Sequence, residues 1–126
     1  MHMLHNTPTN AYRKVAVDAR IRGARPQDLV TMCFEQVVSE ITRAVRGHET
    51  GDTARRSDGL TRANAAITAL EMGLDRTNPI AAMLDQLYVA AREVILSSVA
   101  NFNREGLLEV RDDFAEIGAA LKASAT

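Results

Sequence analysis

Apolar residues recur at three- and four-residue intervals along most of this chain, and no run alternates apolar and polar positions for long enough to make a strand. After Pro26, a favoured first helical residue followed by Asp28 against the helix dipole, come Val30, Cys33, Phe34, Val37, Val38, Ile41, Ala44 and Val45. They form a broad apolar stripe that closes at Arg46 to Gly51. Asp52 or Thr53 can cap the next helix, which reaches about Gly73 with Leu60, Ala63, Ala66, Ile67, Leu70 and Leu74 on one face. Asn78-Pro79, a cap residue followed by proline, predicts the start of another, with Ile80, Met83, Leu84, Leu87, Tyr88, Ala91, Val94, Ile95 and Val99 as its apolar set. The last predicted helix runs from about Arg104 to Ala123 and carries Leu107, Val110, Phe114, Ile117 and Leu121. Ahead of all four, Asn10 can cap a short helix to about Arg22, with Tyr12, Val15, Ala16 and Ala19 as its apolar positions and Gly23 as its end.

The connections between the long helices are short, so neighbours in sequence should pack antiparallel. The expectation is an all-α fold: an antiparallel up-and-down four-helix bundle with a short additional N-terminal helix. Residues 1–9 read as a flexible tail and 10–126 as one domain. A chain of 126 residues can build one core without disulfides or metal. Its 46% hydrophobic and 25% charged residues exclude disorder over the whole length, and a net charge of −1 carries no general polyanion-binding signature. One cysteine, Cys33, leaves no intramolecular disulfide and fits a reducing compartment. The first ten residues lack the basic start and apolar run of a signal peptide, and nothing approaches the roughly 20 apolar residues of a membrane helix. A cytoplasmic protein without membrane insertion is expected.

The search for chemistry predicts no enzyme and no cofactor. His2, His5 and His48 are not spaced with Cys33 or with acids as metal ligands would be, no Glu-x-x-His pair occurs, and no glycine-rich phosphate loop is visible. Cys33 sits inside an apolar stripe and reads as a buried structural thiol. Glu105, Glu109, Asp112, Asp113 and Glu116 read as the solvated face of the last helix rather than an acid/base pair. Arg13, Lys14, Arg20, Arg22 and Arg25 face only Asp18 as a counter-charge. Without interleaved aromatic residues or a nucleic-acid motif, this basic start reads as a solvated face or a contact for an acidic protein, not a nucleic-acid site. Tyr88 reads as core with its hydroxyl in water. Met32, Met72 and Met83 either fill the core or line a groove that adapts to a partner helix.

Two segments carry a family resemblance. Tyr12, in Ala11-Tyr12-Arg13-Lys14-Val15-Ala16-Val17, stands fourteen residues before Pro26, which opens the run Pro26-Gln27-Asp28-Leu29-Val30-Thr31-Met32-Cys33-Phe34-Glu35. Leu74-Asp75, Ile80-Ala81, Leu84-x-x-Leu87-Tyr88 and Leu108-Glu109-Val110 follow in order. Together they resemble the flagellar export chaperones called FliS, over residues 11 to about 123. There are departures: Arg25 stands where the family has a serine, Cys33 where leucine is usual, Gln36 for a glycine, and Thr77-Asn78-Pro79 for paired glycines. Losing a serine cap should cost about 1 kcal/mol of helix stability. The family's C-terminal tryptophan is absent, with Leu121-Lys122 in that region.

The resemblance implies a chaperone that binds the disordered C-terminal segment of flagellin, prevents premature polymerisation and delivers it to the export gate protein FlhA. It implies a gate contact at Tyr12 and, beside it, Val15 and Val17. It also implies a cargo groove for which Leu29, Met32, Ile67, Leu70 and Leu74 are candidates, although each of these also suits plain core packing. The other reading is a regulatory bundle that sequesters a protein controlling flagellar gene expression. Oligomeric state stays open, since an exchanged N-terminal helix would make a homodimer.

Overall fold

The computed structural model describes residues 26–124, and all regular structure among them is helical: α1 (Pro26–Thr50), α2 (Thr53–Met72), α3 (Ala81–Ala100) and α4 (Arg104–Ser124). The tail and the short helix expected before Gly23 lie outside the described residues. So do Tyr12, Val15 and Val17.

Local chemistry sets most of the boundaries. Gly51 has φ 75°, a left-handed conformation that favours glycine. Around it the Asp52 amide donates to the Gly47 carbonyl at 2.8 Å and the Gly51 amide to that of His48 at 3.4 Å, which terminates α1 in a Schellman arrangement. Asp52 then caps α2 by accepting from the Arg55 amide at 3.0 Å. Gly73 ends that helix as expected, with its amide on the Ala69 carbonyl. Asn103 starts α4, its Oδ1 accepting from the Gly106 amide at 2.9 Å.

α3 begins later than its sequence suggests. Asn78 and Pro79 lie in a turn, not at a helix start, and the first helical residue is Ala81. The Asn78 carboxamide accepts from the Ile80 amide two residues on, and the Asn78 carbonyl accepts from Ala81. Asn78 therefore closes an Asx-turn instead of capping a helix, and Asp75 makes a similar turn with the Thr77 amide and hydroxyl. Those two bonds hold the Asp75 carboxyl below the usual carboxylate range.

The helices pack antiparallel where side chains settle the direction. Gly47 of α1 lies against Arg56 of α2, and Ala44 lies against Gly59. At the same end Glu49 pairs with Arg104 of α4 at 2.9 Å, while His48 stacks on Phe102 with centroids 4.1 Å apart. At the other end Phe34 meets Gly118. α1 is central, flanked by α2 and α4; α3 packs on α2 and more lightly on α4.

The core gathers most of the predicted stripes; Met83 and Val99, read with the α3 set, lie exposed instead because they fall at the edges of its buried face. Phe34, Tyr88 and Phe114 form a buried aromatic trio, with centroids 5.0 Å apart for Phe34–Phe114 and 6.1 Å for Phe34–Tyr88. Val37, Ile41, Ile67, Ile95 and Leu107 belong to the same buried core. Each large apolar side chain buried this way contributes about 1.5–3 kcal/mol. Tyr88 departs from expectation: only 1% exposed, it keeps no tip in water, and burial with the nearby Cys33 and Glu71 charges pushes its phenol pKa up. Cys33 is buried among the same residues. The acidic residues of α4 are exposed, as read from their spacing.

Candidate functional site

The surface departs from an ordinary polar shell along α3. The helix is apolar beyond its buried face, more so than a half-buried helix needs, with Gln86, Glu93 and Ser97 as exposed polar residues. Ala81, Leu84, Tyr88, Ala91 and Ile95 point into the core. Met83, Val89, Leu96 and Val99 stay exposed, Leu96 at 52% and Val99 at 67%. Val89, Leu96 and Val99 are spaced by seven and three residues, which puts them in one row along the helix. A contiguous exposed apolar row on a small protein marks a surface that meets another molecule. Among the described residues no helix is long and apolar enough to cross a membrane.

Arg92 belongs to the same row, three residues after Val89 and four before Leu96. Its guanidinium turns toward α2 and donates in three directions. Nε meets Asn64 Oδ1 at 3.1 Å, Nη2 meets Thr68 Oγ1 at 2.7 Å, and Nη1 meets the Glu71 carboxylate at 2.6–2.7 Å. Asn64, Thr68 and Glu71 are four and three residues apart, so α2 presents them on one face. The pair is three-quarters buried, with Arg92 and Glu71 side chains 25% and 24% exposed, and so is shielded better than a surface ion pair.

The antiparallel register brings the start of α1 beside the end of α2. Leu29 and Met32 therefore share an end of the bundle with Met72 and Leu74, and all four keep some exposure. Met72, half exposed, does not fill the core, and neither does Met83. Ile67 and Leu70, named with Leu29, Met32 and Leu74 as cargo candidates, are buried in the core of the bundle. A visiting chain would meet them only after displacing their neighbours.

The far end is sealed. Besides the His48–Phe102 stack, Arg56 lies over the same phenyl ring at 6.0 Å. On the outer face of α1 and α2, Asp58 bridges Arg43 and Arg62. Partial desolvation raises the Asp58 carboxyl, but hydrogen bonds from both guanidinium groups outweigh it and leave the pKa lowered. Among the described residues no three His, Cys, Asp or Glu side chains converge as a metal site would require. Burial moves the Cys33 thiol from its ordinary 9.0 to about 11, the wrong direction for a nucleophile at neutral pH.

Sequence reasoning missed Val89, Leu96 and the Arg92 fork. The available signal was Arg92 itself, the one cation of the helix, set in a row with Val89, Leu96 and Val99.

Residues 8–125 match the family model described as flagellar protein FliS. The flagellar secretion chaperone FliS of Salmonella typhimurium is 29% identical over 115 residues, covering 89% of this chain and 85% of the relative. The protein of the same name from Vibrio cholerae serotype O1 is 24% identical over 116 residues, covering 90% and 82%.

Proposed function

The chain belongs to the FliS family of flagellar proteins, and on that premise we propose that it is a flagellar secretion chaperone whose cargo is the C-terminal segment of unpolymerised flagellin. It holds that segment in the cytoplasm, keeps it from polymerising and delivers it to the export gate protein FlhA. The observation that carries this reading is the exposed row Val89, Leu96 and Val99 in a chain whose relatives are named flagellar secretion chaperones. Work of this kind is done by binding, and it calls for no catalytic group.

The physical logic is that of a helix laid on an apolar face. A disordered segment with apolar residues every three or four positions gains by covering Val89, Leu96 and Val99. Leu29, Met32 and Leu74 offer further partly exposed apolar surface at the end of the bundle opposite the His48–Phe102 stack, with Ile67 and Leu70 buried in the core. Ordering the segment offsets part of the gain from burial, so affinity per unit area stays modest and the cargo can later be released. Tyr12, with Val15 and Val17, is proposed to contact the gate.

Calorimetric titration with the C-terminal peptide of the host's own flagellin tests the proposal. One-to-one saturable binding with a negative heat-capacity change is expected. Full-length flagellin should form a complex and flagellin without that segment should not; equal binding of both would end this reading.

A further inference from the structure

We propose that Arg92 is a positioning residue that fixes α3 in one rotational setting on α2 and so holds Val89, Leu96 and Val99 outward. Its consequence for cargo rests on the reading of that row as the flagellin-binding face; its consequence for α3 does not.

A helix is usually oriented by its pattern, since rotation would bury polar residues and expose apolar ones. In α3 a turn toward Val89, Leu96 and Val99 would bring in one apolar set for another, and the polar side chains carried inward with it would be Arg92 and Asp85. Ala81, Leu84, Tyr88, Ala91 and Ile95 are inside, Leu87 and Val94 are half inside, and Val89, Leu96 and Val99 wait outside. Apolar burial beyond Tyr88 therefore discriminates weakly among rotations, and the charged side chains in the row carry the rest. Contact with α4 is light and adds little restraint.

The fork on α2 supplies the missing specificity. A guanidinium is planar, and its N–H groups point in fixed directions. Asn64, Thr68 and Glu71 together take up Nε, Nη2 and Nη1, and that match allows one rotation and one axial position of α3. Turning the helix would strip the partly buried Glu71 carboxylate of its cation. The other charged residues of α3 offer no comparable anchor: Asp85 meets Arg76 of the connecting turn at 3.4 Å, and Glu93 is exposed. Arg92 also sits in the row it presents, so the lock acts in the middle of that row.

The test uses Arg92→Met, which keeps an unbranched apolar stem and removes every donor, and Thr68→Val, which removes one acceptor on α2. Hydrogen exchange is read helix by helix, and flagellin C-terminal peptide affinity by calorimetry, under conditions where circular dichroism shows full folding. In both variants α3 amides should exchange at least roughly tenfold faster while α1 and α4 keep their protection, as loss of one charge-assisted bond implies. Peptide affinity should fall by about tenfold in each. The double variant should lose no more than Arg92→Met alone, and Arg92→Lys should not restore binding, because an ammonium cannot span three acceptors. Unchanged α3 exchange in Arg92→Met overturns the proposal, and so does an equal rise in all four helices with affinity intact. Weak binding by Arg92→Met with normal binding by Thr68→Val would show that Arg92 touches cargo directly, which also overturns it. Should Arg92→Met not fold, the milder Thr68→Val decides by the same exchange and affinity readings. Absence of binding to the wild-type chain would remove the cargo reading, while the exchange data would still decide whether Arg92 sets α3.

Discussion

Gly59 of α2 lies so near α1 that a Cβ at this position would stand 2.7 Å from the carbonyl oxygen of Glu40 and 2.8 Å from the backbone nitrogen of Ala44. The obstacle is backbone, which cannot swing aside as a flexible side chain would. The close approach lets α1 and α2 bury Ala44, Leu60 and Ala63 between them. It also fixes the register that places Leu29 and Met32 beside the end of α2.

Gly59→Ala should therefore destabilise the protein, although alanine is the better helix former by up to about 1 kcal/mol. Forcing the helices apart should outweigh that gain, for a net loss of about 1–3 kcal/mol. A lower urea midpoint with an unchanged slope is the expected result. A midpoint at or above wild type would mean that the helices separate at little cost.

Cys33 provides a pH test. Burial raises its pKa from 9.0 to about 11 in the folded chain. Unfolding therefore releases a proton between these values, and the native state holds the extra one. The stability from the neutral buried thiol is complete below pH 9 and falls as pH rises toward 11, by roughly 2–3 kcal/mol in all. In Cys33→Ser the alkaline loss measured by urea melts should shrink. The native thiol should also resist alkylation at pH 8 and react once urea unfolds the chain; prompt native reaction would contradict its burial.

Leu96→Asp and Val99→Asp separate binding from folding. Both side chains are mostly exposed, so each change should move stability by no more than about 0.5 kcal/mol. Affinity for the flagellin peptide should drop at least roughly tenfold, because a carboxylate would have to be desolvated under the visiting helix. Normal binding by both variants would move the cargo site off α3.

Tyr12→Ala addresses delivery rather than capture. Stability and flagellin affinity should change little, while export of flagellin from cells should fail. A loss of folding instead would place Tyr12 in the core and withdraw its role at the gate.

The helices themselves were legible from residue spacing, because periodicity and capping are properties of short stretches. The stripe of α1, the Asp52 cap, the Gly73 end and the exposed acids of α4 follow from neighbours within one or two turns. Asn78 shows where local reading stops: the same carboxamide can cap a helix or close a turn, and here it takes the Ile80 amide. Tyr88 has an amphipathic side chain, yet its neighbours Phe34 and Phe114 close over it.

The binding surface lay beyond that reach. Pattern placed Leu84, Tyr88, Ala91 and Ile95 of α3 inside, but it could not tell that Met83 and Val99, read with the same set, stay exposed as Val89 and Leu96 do. It cannot separate Ile67 and Leu70, which are sealed in, from Leu74, which is partly open. The partners that orient α3 through Arg92 are 21 to 28 residues away in the chain. Their meeting depends on how α2 and α3 pack, and it is settled by the pair of helices rather than by either one.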